Sequence, residues 1–265
     1  MKFLVLGQLT VGCNGREVHF RGGLQCALLA AFIAAEGKVL SVGSLIEELW
    51  EDNPPNSVEN ALQAHVSRLR RKLQSLEGER TSPRLVSQAN GYRLILDGAE
   101  VDAARFSDAL ARARLEPASS AGIIADRLRE ALELWRGPVF GGAVVGPMAQ
   151  AAAARLKASR TAALELLFDN ELKRGSHTYI VPELTALVRA EGLNERLCEL
   201  LMIALYRCGR QVDALSVYRE IRNRMAEELG VNPSPMLRNH ERAVLAHDPE
   251  LLPHENHLRL RNPVS

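Results

Sequence analysis

Five apolar residues, Leu62, Val66, Leu69, Leu73 and Leu76, recur at steps of 4, 3, 4 and 3. An α-helix turns once in about 3.6 residues, so such a series draws one line along its surface. The spacing predicts a continuous helix with that line as its buried stripe, capped by Asn56 or Ser57. Residues 60–76 also contain Arg68, Arg70, Arg71 and Lys72 and no acid. With the stripe turned inward, Asn60, Ala64, Ser67 and Arg71 point outward. Ser57 and Arg68 lie on one shoulder of that face, Gln63 and Gln74 on the other.

The flanking segments say what the helix packs against. Residues 1–20 read as short strands, with Leu4, Leu6, Val11, Val18 and Phe20 as apolar positions and Asn14-Gly15 as a hairpin turn. Residues 24–36 switch to helical spacing through Leu24, Leu28, Leu29, Phe32 and Ile33, with Gly37 as the stop. Ser41 or Ser44 can cap a second helix carrying Leu45, Ile46, Leu49 and Trp50, and Pro54-Pro55 forces a turn after it. Beyond a polar loop at 78–83, residues 84–87 and 91–96 read as two strands around Asn90-Gly91. Strands, three helices and a hairpin, in that order, describe a winged helix-turn-helix.

After Asp97-Gly98 the strand signals stop, and residues 98–250 are rich in Ala, Leu, Arg and Glu at helical spacing. Gly137-Pro138 and Gly146-Pro147 bracket one break, and Gly175 and 230–235 mark others. Lys173-Arg174-Gly175 is echoed 34 residues later by Arg207-Cys208-Gly209. That period is the length of a tetratricopeptide unit, a helix hairpin that buries its apolar face on its neighbours. The expected fold is α+β but mainly α, with an N-terminal winged helix-turn-helix bearing β-hairpins and a C-terminal tetratricopeptide-like all-α domain. The expected domains are 1–96 and 97–250, with 251–265 as a flexible tail.

The outer face of the 56–76 helix offers the side chains that read base edges in a major groove. Arg suits guanine, and Asn or Gln suits adenine. His65, Arg70 and Lys72 sit toward the flanks, where they could reach phosphates. In the hairpin, Arg84 and Arg93 are candidates for phosphate or minor-groove contact. The candidate DNA-binding set is therefore Ser57, Asn60, Gln63, Ala64, His65, Ser67, Arg68, Arg70, Arg71, Lys72, Arg84 and Arg93. The net charge of +1 conceals this basic stripe. Glu47, Glu48, Glu51 and Asp52 on the preceding helix would be repelled by phosphate, so they must face away from DNA or toward a protein partner.

Enzyme classes find no support. There is no phosphate-binding glycine loop, no serine nucleophile elbow and no His-Glu-x-x-His metal motif. The four cysteines form no Cys-x-x-Cys pair, and His254 and His257 lie in a proline-flanked tail. No catalytic residue, cofactor or metal is expected. No apolar run approaches the roughly 20 residues that span a bilayer. A cytoplasmic, nucleoid-associated protein is expected.

The run Gln63-Ala64-His65-Val66-Ser67-Arg68-Leu69-Arg70-Arg71-Lys72-Leu73, with Gly91-Tyr92-Arg93-Leu94, resembles the OmpR-like DNA-binding domain, the output domain of two-component regulators. Val101-Asp102 with Phe106, then Ala131-Leu132-Glu133-Leu134-Trp135-Arg136-Gly137, is similar to the bacterial transcriptional activation domain. So are residues 204–215 and 228–234. Together these motifs resemble the Streptomyces antibiotic regulatory protein family over about residues 1–250. The resemblance implies an activator of an antibiotic-biosynthesis gene cluster. Such a protein binds direct repeats in double-stranded promoter DNA, as a dimer or as side-by-side protomers, and recruits RNA polymerase holoenzyme. It implies base-facing positions for Ala64 and Arg68 and phosphate positions for His65 and Arg70. Two positions depart from the family: Gln25-Cys26 replaces residues that are often basic, and Gln88 stands at a wing position that is often Arg. Nothing resembling a phosphoacceptor receiver precedes the winged helix, so control by phosphorylation at a receiver aspartate is not expected. The rival readings are a peptide-binding adaptor of tetratricopeptide type and a repressor with the same DNA-binding domain.

Overall fold

The computed structural model describes residues 1–78 and 83–252. In chain order the elements are β1 (Lys2–Leu4), β2 (Thr10–Cys13), β3 (Arg16–His19), α1 (Gly23–Ala34), β4 (Leu40–Ser41), α2 (Val42–Trp50), α3 (Val58–Glu77), β5 (Leu85–Gln88), β6 (Gly91–Leu94) and β7 (Glu100–Val101). The helices α4 (Asp102–Leu115), α5 (Ala121–Leu132), α6 (Pro147–Lys173), α7 (His177–Glu191), α8 (Glu195–Arg207), α9 (Gln211–Leu229) and α10 (Pro235–Leu245) follow. The chain divides into two compact units. One holds residues 1–114 and 130–161, and the other holds 115–129 and the residues from 162 onward.

In the first unit, one sheet has the strand order β3-β2-β1-β7 and a second has β4-β6-β5. The β2–β3 hairpin turns at Asn14 and Gly15, both in the left-handed region at φ 50° and 77°. A tight two-residue hairpin needs positive φ at both central positions, which Asn-Gly tolerates best. β1 pairs antiparallel with β2 and parallel with β7, Phe3 facing Val101. Phe3, Leu6, Leu9, Leu28, Phe32, Leu45, Leu62 and Leu69 are fully buried and form the core beneath α1, α2 and α3.

Two buried carboxylates tie this unit together, and sequence spacing gave no hint of either. Asp102, at the start of α4, accepts from the backbone N–H of Val5 at 2.8 Å and of Leu6 at 3.1 Å. It also pairs with Arg136 at 2.7 Å. The backbone N–H groups of Arg136 and Phe140 donate in turn to the carbonyls of Leu6 and Val5, at 2.7 and 2.9 Å. Trp135 meets the Phe106 ring edge-on at 5.4 Å and lies under Arg160. The second carboxylate is Glu48 of α2, only 5% exposed. It accepts from the N–H groups of Met148 and Ala149, at 2.8 and 2.9 Å, in the first turn of α6. Those N–H groups have no partner within the helix, and the positive end of its dipole favours an anion. One of the four acids of the α2 region thus serves the chain's own helix.

In the second unit α7 packs on α8 and α8 on α9, each pair joined by three residues. The echoed glycines Gly175 and Gly209 both turn the chain at positive φ, 84° and 73°, as a repeated helix hairpin requires. Asn194 caps α8 by accepting from Leu197 N–H at 3.0 Å. Gly230 closes α9 in the left-handed conformation, and Ser234 with Pro235 opens α10. Arg207 donates to the carbonyl of Leu172 at 2.7 Å and to that of Leu251 at 2.7 Å. Leu251, expected at the head of a loose tail, is buried in a short turn over Pro249–Leu251. Residues 253–265, with His254 and His257, lie outside the described residues.

Candidate nucleic-acid interface

The helix α3 runs for 20 residues, about 30 Å. Leu62, Val66, Leu69, Leu73 and Leu76 are all buried, none more than 6% exposed. The stripe turns the opposite face to solvent: Ser57, Asn60, Gln63, Ala64, Ser67, Arg68, Arg71 and Lys72 are exposed, and His65 and Arg70 half-buried. Ser57 occupies the N-cap position without a side-chain cap bond. The turn from α2 passes through Glu51, whose φ is 48°.

Gln25 of α1 joins Arg68, Arg71, Lys72 and Ser75 around an open hollow between α1 and α3. The ammonium of Lys72 sits 5.1 Å above the Phe20 ring, a contact that steadies the charge without neutralising it. Among the described residues, neither Arg68 nor Arg71 has a hydrogen bond or an ion pair. Three cations therefore share one helix face, and among the described residues no acid pairs with them. Such a face concentrates positive potential and suits a polyanion.

Three arginines of the candidate set behave differently. Arg84 does not reach outward: it is buried, its guanidinium held by Glu77 at 2.6 Å and by the carbonyls of Ile95 and Asp97 at 2.9 and 3.2 Å. A guanidinium has five donors, and here four of them close the hairpin base, so Arg84 is a structural ion pair rather than a phosphate contact. Arg70 also turns toward the hairpin, donating to the Leu85 carbonyl at 2.8 Å and the Ser87 hydroxyl at 3.3 Å. It braces the wing against α3. Arg93 is exposed but donates through Nε to the Gly37 carbonyl at 2.6 Å.

The wing is the hairpin β5–β6, in register from Leu85↔Leu94 to Gln88↔Gly91. Gln88, Ala89 and Asn90 form its exposed tip. Gly91 lies so close to β4 that a Cβ there would stand 1.9 Å from the Leu40 carbonyl oxygen. No other residue could pair this strand with Leu40 and Ser41.

Gln25 and Phe20 belong to the interface geometry but were not in the candidate set. Gln25 lies 40 residues before His65 and Phe20 52 residues before Lys72, distances that periodicity within one helix cannot span. Among the described residues no cluster of His, Cys, Asp and Glu could hold a metal ion, and no helix is long and apolar enough to cross a membrane.

Residues 18–94 match the family model of the transcriptional regulatory protein C-terminal domain, and residues 101–245 match that of the bacterial transcriptional activator domain. The chain is 38% identical over 249 residues to the transcriptional regulator RedD of Streptomyces coelicolor, covering 93% of this chain and 71% of that one. It is 32% identical to the regulatory protein DnrI of Streptomyces peucetius, covering 94% of this chain and 93% of that one. With the regulatory protein AfsR of Streptomyces coelicolor it shares 42% identity over 95% of its own length, but it spans only 25% of that longer protein. The fold is similar to that of Mycobacterium tuberculosis EmbR, solved in complex with a low-affinity phosphopeptide. There the TM-score is 0.83 at 29% identity, covering 94% of this chain and 65% of the other. With a DNA-binding and an activator model matched in series, and relatives of this kind along nearly its whole length, the chain belongs to the Streptomyces antibiotic regulatory protein family.

Proposed function

We propose that the chain is a cytoplasmic, sequence-specific activator that lays α3 in the major groove of promoter direct repeats and recruits RNA polymerase to an antibiotic-biosynthesis cluster. Residues 1–96 would carry the DNA contacts, and the helices of 97–250 would serve as the surface for a second protomer or the polymerase. One observation carries the reading: α3 anchors its leucine stripe in the core and leaves Arg68, Arg71 and Lys72 exposed, with no acid paired to them among the described residues. In this reading Arg68 and Arg71, with Asn60, Gln63 and Ser67, meet base edges. His65, Lys72 and the N-terminal Ser57 approach phosphates. Arg70 and Arg93 hold the wing in place, and the wing tip Gln88–Asn90 crosses the backbone.

Fluorescence anisotropy with promoter fragments from the gene's own neighbourhood tests the reading. Arg68→Ala and Arg71→Ala should each weaken the cognate site by about 1–3 kcal/mol and bring its affinity closer to that of unrelated DNA. If both variants bind promoter fragments as the parent does, the assignment of α3 fails. Transcription in vitro with purified polymerase then separates an activator, which raises transcript yield, from a repressor, which lowers it.

A further inference from the structure

The side chain of Gln25 crosses from α1 to α3. Its Nε2 lies 3.1 Å from the backbone oxygen of His65 and 3.1 Å from the ring nitrogen Nδ1 of the same residue. A carbonyl oxygen can only accept, so the amide must face it with its NH2 group and not with its oxygen. That nitrogen has a second hydrogen, and the geometry directs it at Nδ1. A ring nitrogen that accepts carries no proton, so the neutral imidazole holds its one proton on Nε2.

The surroundings of the ring agree. From α1 it is faced by the neutral Gln25 amide and from α2 by the Trp50 indole, edge-on at 6.1 Å. From α3 itself it is faced by the Arg68 guanidinium, and none of these groups is anionic. Burial, and after it the Arg68 charge, hold the ring's protonation below the usual imidazole range. The amide keeps its orientation although its own oxygen, Oε1, is buried without a hydrogen-bond partner, an arrangement that costs stability. Among the described residues, no protein group is bonded to Nε2 of the half-buried His65.

We infer that Gln25 is a positioning residue: it fixes His65 as a neutral ring with the proton on Nε2, a preset N–H donor for a DNA phosphate oxygen beside the α1–α3 hollow. This rests on the reading of α3 as the DNA-contacting helix. A basic residue at position 25 would itself be a phosphate contact that adds charge. Glutamine instead sets the hydrogen-bonding state of its neighbour. The backbone contact is lent rigidity by a neutral donor, and its strength follows the pH only below the ring's lowered titration.

The test has two arms on the full chain. Long-range proton–nitrogen NMR spectra of imidazole-labelled protein, without DNA, report the tautomer and titration of His65. The parent should show the Nε2–H tautomer and a titration below the ordinary imidazole value. Gln25→Ala should lose the fixed tautomer. Gln25→Glu, which replaces the donor with an acceptor, should raise the titration and put a proton on Nδ1. A parent ring protonated on Nδ1, or a spectrum unchanged in Gln25→Ala, would overturn the inference. In the second arm, anisotropy with a fluorescein-labelled duplex of arbitrary sequence compares about pH 7.5 with about pH 5.5. Acidification should strengthen Gln25→Glu relative to the parent by roughly threefold or more, because the variant's ring becomes cationic at a higher pH than the parent's. Identical pH profiles would refute the role on DNA. If no form binds any duplex, the reading of α3 fails while the tautomer arm still decides what Gln25 does.

Discussion

Arg68 and Arg71 of α3 and several arginines of the second unit are chemically alike and placed in opposite ways. In the second unit Arg129 joins Glu171 and Glu183, Arg174 joins Asp126 and Glu171, and Arg196 joins Asp169 and Glu199. Each of these three guanidiniums is matched by carboxylates of the same unit. On α3, Arg68 and Arg71 have no such partner among the described residues. The second unit also carries arginines without an ion pair among the described residues, Arg189, Arg222 and Arg238 among them, so what sets Arg68 and Arg71 apart is that they share one helix face with Lys72 and no carboxylate pairs with any of the three there. The contrast teaches that counting basic residues is a poor guide to nucleic-acid binding. What matters is whether the fold gathers unmatched ones on a single face.

Several substitutions would break or sharpen this contrast. The largest effect should come from Arg84→Ala, which removes the buried partner of Glu77 and should destabilise the protein by about 3–5 kcal/mol. Urea denaturation measures it. A variant of parental stability that merely bound DNA less well would return Arg84 to the interface. Next, Glu171→Ala should cost about 2–3 kcal/mol in the same assay, less than a wholly buried pair because Arg129 and Arg174 reach water. Its affinity for promoter DNA should not change once the protein is folded. Arg68→Ala should do the reverse, staying within about 0.5 kcal/mol of parental stability while losing about 1–3 kcal/mol at its cognate base step. A melting temperature well below the parent's would show that Arg68 has structural partners after all. The smallest effect is expected for Arg70→Ala, about 1 kcal/mol of stability from its bonds to Leu85 and Ser87. The salt dependence of DNA binding should stay as it is. A slope lower by about one unit would mean that Arg70 leaves the hairpin for a phosphate when DNA arrives.

The same contrast separates what could be read from the sequence from what could not. The α3 stripe was legible because a helix imposes its period on the residues it buries. The Asn14-Gly15 turn was legible because only a few residue types tolerate its backbone. The 34-residue echo was legible because Gly175 and Gly209 both end a helix in a conformation that favours glycine. Arg84 and Glu48 were not legible. Charge says nothing about direction, and both are turned inward by partners outside their own element: Arg84 by Glu77 and the Ile95 and Asp97 carbonyls, Glu48 by N–H groups 100 residues away. Gln25 was visible only as a departure from a pattern. Its contact with His65 depends on how α1 lies against α3, which no local spacing records.

The Asp102 knot has a consequence for where the winged-helix part ends. Its carboxylate gathers the N–H groups of Val5 and Leu6 from the first strand region and the side chain of Arg136, whose backbone closes onto Leu6. The opening residues of the chain thus wait for partners near positions 102, 136 and 140 before their hydrogen bonds are complete. The winged-helix part therefore completes these hydrogen bonds only with residues that lie some forty positions beyond β6. A fragment cut after residue 96 would carry the whole of α3 and still leave the first strand with bare backbone donors. Detaching the DNA-reading part cleanly therefore means keeping residues that sequence families assign to its neighbour.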